Sequence, residues 1–350
     1  MSELLRDLWY FAALSRELKP GAMFRKMLLG EPVLLGRTKQ GEAFAMRDIC
    51  PHRAAPLSAG KIVEMDDAPT VECPYHGWRF RTNGACAAIP SLVDDQKMEV
   101  SRIKVARYPL HEQAGLIWIY MPPDLRRVGD PVLPPPDFSE LAVEGAPKLV
   151  DRMVFDTNID HAVVGLMDPA HGPYVHAQWW WRERHDLREK AKKFEPRDMG
   201  FSMVRHKPSA NSRAYAVIGG TPETEITFRL PGMRWEDIRA GKTRVFALTC
   251  LTPLEQNKTE ITQVFYWNHA LLSLVKPIVA SAARAFLRQD GAMVNLQNQG
   301  LAFDPALLWI DDGDAQAKWY QRLKKEWLAS RAEGRAFANP IQPTTLRWRS

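Results

Sequence analysis

Two short cysteine–histidine pairs constrain this chain more than any other feature. Cys50-Pro-His52 and Cys73-Pro-Tyr-His76 each fit on a single loop, and twenty residues separate them. Two thiolates and two neutral imidazoles suit either a tetrahedral zinc or a 2Fe-2S cluster in which one iron takes both cysteines and the other both histidines. Zinc fingers tend to group their cysteines together and their histidines together, whereas each loop here offers one of each. For any one of the four, a buried thiol or a satisfied histidine is the plainer reading. For the set, accident explains the paired spacing poorly.

Between Met27 and Arg47, runs such as Pro32-Val-Leu-Leu and Glu42-Ala-Phe-Ala-Met-Arg are punctuated by Gly30, Gly36 and Gly41, the pattern of strands and hairpins. Thr70 to Glu72, Trp78 to Arg81 and Leu116 to Tyr120 read the same way, so the first third is an all-β unit. A proline-rich stretch follows, Met121-Pro-Pro-Asp and then Asp130-Pro-Val-Leu-Pro-Pro-Pro-Asp, and marks the connection to a second part. We take the domains as 1–125 and 126–350. In the second part Ile226 to Leu230, Arg244 to Leu251 and Glu260 to Trp267 read as strands. Ser273 to Leu301 reads as one or two helices around Pro277, and Asp314 to Phe337 as another with Trp319, Leu323, Trp327 and Leu328 on one stripe. The fold class is α+β, with no fixed-period repeat.

A second dense segment lies past the connection: Asp168-Pro-Ala-His171-Gly-Pro-Tyr-Val-His176. On an ideal helix His171 and His176 would point about 140° apart. Gly172 and Pro173 break that regularity, and a bend there would let both imidazoles converge. Asp168 before Pro169 also has the form of a helix N-cap with proline at the first helical position. Asp160 and His161 form a rival pair nearby.

Cys50-Pro-His-Arg and Cys73-Pro-Tyr-His-Gly-Trp-Arg-Phe resemble the two cluster-binding loops of Rieske proteins, and Asp168-x-x-His171-x-x-x-x-His176 resembles the mononuclear-iron motif of Rieske non-haem iron oxygenases. The resemblance implies cluster ligation by Cys50, His52, Cys73 and His76, and iron ligation by His171 and His176. It takes the third ligand, a carboxylate, from a later helix, where Arg288-Gln-Asp290-Gly-Ala-Met-Val-Asn matches and nominates Asp290. Two histidines and one carboxylate on one face leave open positions on Fe(II) for dioxygen. Asp168 is implied to bridge His171 to a cluster histidine, here His76, of a neighbouring subunit, which implies a homotrimer. Many relatives place an asparagine shortly before that aspartate, where this chain has Gly165, with Asn158 further upstream.

The implied architecture is an N-terminal all-β Rieske domain followed by a helix-grip-like catalytic domain with an antiparallel sheet. The implied activity is that of a terminal oxygenase taking electrons from a reductase, with or without a ferredoxin, and using O2. At 350 residues the chain is similar in size to the single-component group that demethylates vanillate and dicamba, so hydroxylation or oxidative demethylation of an apolar aromatic substrate is expected ahead of ring dihydroxylation. Met167, Trp179, Trp180, Trp181, Phe246 and Phe265 are candidate pocket walls, although for most of them a place in the core is the plainer reading.

Composition removes other classes. The net charge of +6 is scattered rather than gathered on a nucleic-acid-binding module, and fits docking of an acidic redox partner better. The first residues lack a basic segment followed by an apolar stretch, and no run is long and apolar enough for a membrane span, so a cytoplasmic location is expected. An electron-transfer or zinc protein would use the first site alone. It would need neither the second domain nor the His171/His176 pair.

Overall fold

The computed structural model describes residues 3–125, 129–139, 145–176, 187–208 and 218–350. The chain divides between Phe138 and Ser139.

Among the described residues, alternating apolar runs broken by turn residues give the first unit strands and short 3-10 turns only. Its eleven strands are β1 (Leu8–Leu14), β2 (Met23–Leu28), β3 (Glu31–Arg37), β4 (Ala43–Arg47), β5 (Lys61–Met65), β6 (Ala68–Glu72), β7 (Arg79–Arg81), β8 (Cys86–Ala88), β9 (Arg107–Tyr108), β10 (Leu110–Gln113) and β11 (Leu116–Met121). They form three sheets, ordered β1-β11-β10, β2-β3-β4-β9 and β5-β6-β7-β8. Leu34, Met46, Leu57, Val71 and Phe80 pack into one core that also takes in Cys50 and Cys73. Phe80 is fully buried, which stabilises this small unit by about 1.5–3 kcal/mol. The two cysteines are thereby part of the core.

The second unit is an eight-stranded sheet, antiparallel throughout, in the order β12-β18-β17-β16-β15-β14-β13-β19. In chain order it comprises β12 (Leu149–Phe155), α1 (Ile159–Met167), α2 (Gly172–Val175), β13 (Glu189–Arg197), β14 (Gly200–His206), β15 (Glu223–Arg229), β16 (Met233–Ala240), β17 (Thr243–Glu255), β18 (Lys258–Trp267), α3 (Ala270–Leu274), α4 (Lys276–Leu301), α5 (Ala315–Ala332) and β19 (Thr344–Arg349). The three strand runs read from the sequence fall on β15, β17 and β18. Pro277, which lacks an N–H, sits in the first turn of α4, where none is needed, and the break before it separates α3 from α4. The last helical pattern ends earlier than expected, at Ala332, because Gly334 turns the chain into the left-handed region at φ +64°.

The long helix α4 lies against β12. Gly291 makes that approach possible: a Cβ there would meet Met153 Sδ and Phe155 Cε1, each at 3.1 Å. Among the described residues no helix is long and apolar enough to cross a membrane.

Candidate metal centres

Each cysteine–histidine loop closes on itself through its backbone. Cys50 N–H donates to Ala55 O at 2.9 Å and Ala54 N–H to Cys50 O at 2.9 Å, while Cys73 N–H donates to Trp78 O at 2.8 Å and Gly77 N–H to Cys73 O at 3.1 Å. Gly77 has φ +70°, a conformation that favours glycine. Asp48, which sequence reasoning missed, anchors the first loop: its buried carboxylate accepts from Ser58 N–H and Ser58 Oγ, both at 2.7 Å. The closures bring the His52 and His76 rings to 4.6 Å between centroids, and Trp78 stacks on His52 at 4.7 Å.

The donor set suits a cluster with both sulfurs inside and both imidazoles towards the rim. Cys50 and Cys73 are buried free thiols, whereas His52 is exposed and His76 partly so. Burial, reinforced by Cys73, pushes the Cys50 thiol up to about 11. Burial, with His52 and Arg53 nearby, lowers the His76 pKa and so favours the neutral, ligand-competent ring. His76 Nδ1 is itself buried without a hydrogen-bond partner, the position of a lone pair waiting for an acceptor such as iron. Cys86 and Cys250 are buried as well, and neither stands in a cysteine–histidine pair.

The second centre is built on a single helical turn. α1 ends at Asp168, which is its C-cap, so Asp168 does not begin a helix; an Asp-Pro pair also suits a helix end. Its Oδ1 accepts from Ala170 N–H at 2.7 Å and turns the chain into α2. His171 and His176 flank α2 at its two ends, which is how residues five apart bring their Nε2 atoms to 3.2 Å. Asp290 Oδ1 lies 3.0 Å from His176 Nε2 and 3.7 Å from His171 Nε2. Phe286, Gln289 and Asp290 come from one side of α4. Phe286 packs on the His176 ring at 4.3 Å.

Hydrogen bonds orient both imidazoles. His171 Nδ1 donates to Asp168 O and His176 Nδ1 to Gln289 Oε1, each at 2.9 Å. Both Nε2 lone pairs therefore face Asp290 Oδ1, and three acceptors converge with their ligand atoms all within 4.8 Å. Such an arrangement asks for a cation, and two imidazoles with one carboxylate suit non-haem iron. Burial opposes protonation of His171, but Asp168 and Asp290 outweigh it and raise its pKa.

A cavity of about 190 Å³ opens beside this centre. Met167, Met203, Ile226 and Phe286 give it apolar walls; Lys190, Lys192, His206 and Arg234 line it too, none of them expected from the sequence. Phe246 and Phe265 do not line it. Phe246 is buried against Tyr266, and Phe265 packs against a core of Leu149, Ile238 and Trp267. Trp179, Trp180 and Trp181 lie outside the described residues. Asp160 is not at the centre either: it accepts from Tyr320 Oη at 2.6 Å and Lys324 Nζ at 2.8 Å, tying α1 to α5, and with His161 it lines a second hollow. Asn158 caps α1, and Gly165 faces open space, so nothing in the structure requires glycine there.

Comparison with known proteins adds to this geometry. The profile of the Rieske 2Fe-2S domain matches residues 8–109, and that of the vanillate O-demethylase oxygenase C-terminal domain matches residues 156–330. Chlorophyllide a oxygenase of Chlamydomonas reinhardtii is 36% identical over 184 residues, covering 52% of this chain and 26% of that protein. The 5,5'-dehydrodivanillate O-demethylase oxygenase subunit of Sphingobium sp. (strain NBRC 103272 / SYK-6) is 28% identical over 212 residues, covering 59% of this chain and 48% of that protein. The chain thus spans between a quarter and a half of these curated relatives. A crystal structure of dicamba monooxygenase bound to dicamba shares the fold, with a TM-score of 0.74 at 23% identity over 95% of this chain and 100% of that one.

Proposed function

Since this chain belongs to the Rieske oxygenases that carry a vanillate O-demethylase-type C-terminal domain, we propose that it is the terminal oxygenase of a cytoplasmic multi-component system, hydroxylating or oxidatively demethylating a small aromatic substrate. The observation that carries this reading is the convergence of His171, His176 and Asp290 beside a cavity walled by Met167, Met203 and Phe286. Cys50, His52, Cys73 and His76 would hold the cluster, and His171, His176 and Asp290 the iron. When bound, the cluster supplies electrons and the iron activates O2 at open coordination positions.

The chain's own groups do the rest. Gln289 and the Asp168 carbonyl keep the protons of His176 and His171 on Nδ1, leaving Nε2 free to ligate. Phe286 and the buried setting of His176 keep bulk water from that side. The Asp168 carboxylate, 3.6 Å from His171 Nδ1, would take up a hydrogen bond from a cluster histidine of a neighbouring copy, and a homotrimer is the assembly this reading implies. The exposed His52 and Tyr75 leave the rim of the cluster site open to a reductase or ferredoxin. Oxidation of a methoxy carbon would give a hemiacetal that collapses to formaldehyde and a phenol.

The test is iron and sulfide content with the EPR spectrum of the reduced protein, for wild type and His171→Ala. About three irons per chain with a Rieske signal are expected, falling by about one in the variant with the signal retained. An unchanged iron count in His171→Ala would remove the second centre and with it the oxygenase.

A further inference from the structure

The side of α4 that meets β12 is apolar except at one position. Leu287, Gly291 and Val294 are its buried residues, and the same spacing next brings Asn298 inward. Apolar contacts are non-directional, and they constrain the axial position of a helix less than a hydrogen bond does. Asn298 supplies the direction. Its Nδ2 donates to Asp156 O at 2.5 Å, and its Oδ1 accepts from Thr157 Oγ1 at 3.2 Å. Asp156 and Thr157 are the first residues after β12, at the joint from which α1 departs. The rest of that joint is tied as well: Thr259 Oγ1 donates to Thr157 O and Asn158 Nδ2 to Gln256 O, each at 2.9 Å. From there α1 runs nine residues to Asp168, whose carbonyl accepts from His171 Nδ1.

We propose that Asn298 is a positioning residue for the mononuclear centre: it sets the axial register of α4 against the joint of β12 and α1, and so places Asp290 opposite His171 and His176. This deepens the oxygenase reading and rests on its second centre. Asn298 lies eight residues past Asp290, about 12 Å along the helix, so it touches no ligand and acts through the helix between them. Asp290 Oδ1 stands 3.0 Å from His176 Nε2 and 3.7 Å from His171 Nε2. Metal–ligand distances tolerate only about 0.2 Å, so a small slide of α4 is felt as lost affinity. Asn298 is half-buried and lines the second hollow, so shortening its side chain widens that hollow and leaves no closed void.

The experiment measures iron affinity at the second centre by chelator competition, with the EPR spectrum of the ferrous centre exposed to nitric oxide. It compares wild type, Asn298→Ala, Thr157→Val, Thr157→Ser and Tyr320→Phe. Asn298→Ala should bind iron about threefold to tenfold more weakly, with a changed spectrum. Thr157→Val keeps the shape of the side chain and loses its hydroxyl; it should act in the same direction to a smaller extent, and Thr157→Ser should behave as wild type. Tyr320→Phe removes one bond of the tie between α1 and α5, where Lys324 still holds Asp160. It should lower the unfolding midpoint and leave affinity and spectrum unchanged. Sulfide content and circular dichroism should match wild type throughout. Wild-type affinity and spectrum in Asn298→Ala overturn the proposal, and so does an equal loss in Tyr320→Phe, since iron binding would then follow stability alone. Both outcomes leave the oxygenase reading standing, whereas a wild type without iron at His171 and His176 removes that reading and this inference together.

Discussion

Cys50, His52, Cys73 and His76 lie within 27 residues, on two loops that each close through their own backbone hydrogen bonds. His171, His176 and Asp290 span 120 residues, and the third meets the first two because α4, lying against β12, also packs on α1 and α2. The first group is assembled by local turns over a small core. The second depends on how a helix seats on a sheet. A local centre should fail loop by loop, while a distributed one should respond to packing some distance from its ligands.

The sharpest way to break this contrast is to remove one ligand from each centre. Cys73→Ala should lose both cluster irons and destabilise the first unit, since the sulfur is part of its core, whereas Asp290→Ala should lose about one iron and leave the Rieske signal intact. Metal analysis with thermal unfolding followed at both centres checks this, and loss of all three irons in Asp290→Ala would mean that the centres do not fail separately. The next largest effect is expected at Asp48. Asp48→Ala removes two hydrogen bonds from a buried carboxylate that holds the first loop, and should lower stability by about 2–3 kcal/mol in denaturant titrations. Smaller still is Gln289→Leu, which leaves every ligand in place but frees the proton on His176 Nδ1. Iron affinity measured by competition with a chelator should fall about tenfold to a hundredfold, with partial rescue in Gln289→Asn and no change in sulfide content.

These differences also explain what could be read from the sequence. The cluster loops are legible because their chemistry and geometry are both local, and the strands of β15, β17 and β18 because they are rich in β-branched and aromatic residues. His171 and His176 are legible as a pair, but their meeting depends on α2 being a single turn flanked by both, which spacing alone does not specify. Gln289 carries no signal of its own, being one polar residue in a largely exposed helix. For Phe246 and Phe265 the core was the plainer reading, and the pairing of β17 with β18 puts Phe246 against Tyr266 on one face and Phe265 against the α3 and α4 side of the other. Lys190 and Lys192, which line the cavity, were hidden by the opposite expectation, since alternation with charge at every second position normally marks a solvent face.

The seat of α4 on β12 has a further consequence. Gly291 follows Asp290 directly, and the space where its Cβ would stand is closed by Met153 and Phe155. A methyl group added at that point, or a change of bulk at 153 or 155, would act as a lever with almost no arm: the helix would lift and carry the carboxylate with it. The hold on a metal at His171 and His176 can therefore be retuned from the far side of the helix, by residues that never approach the metal, and a lineage could adjust the reactivity of the centre without exchanging a single ligand.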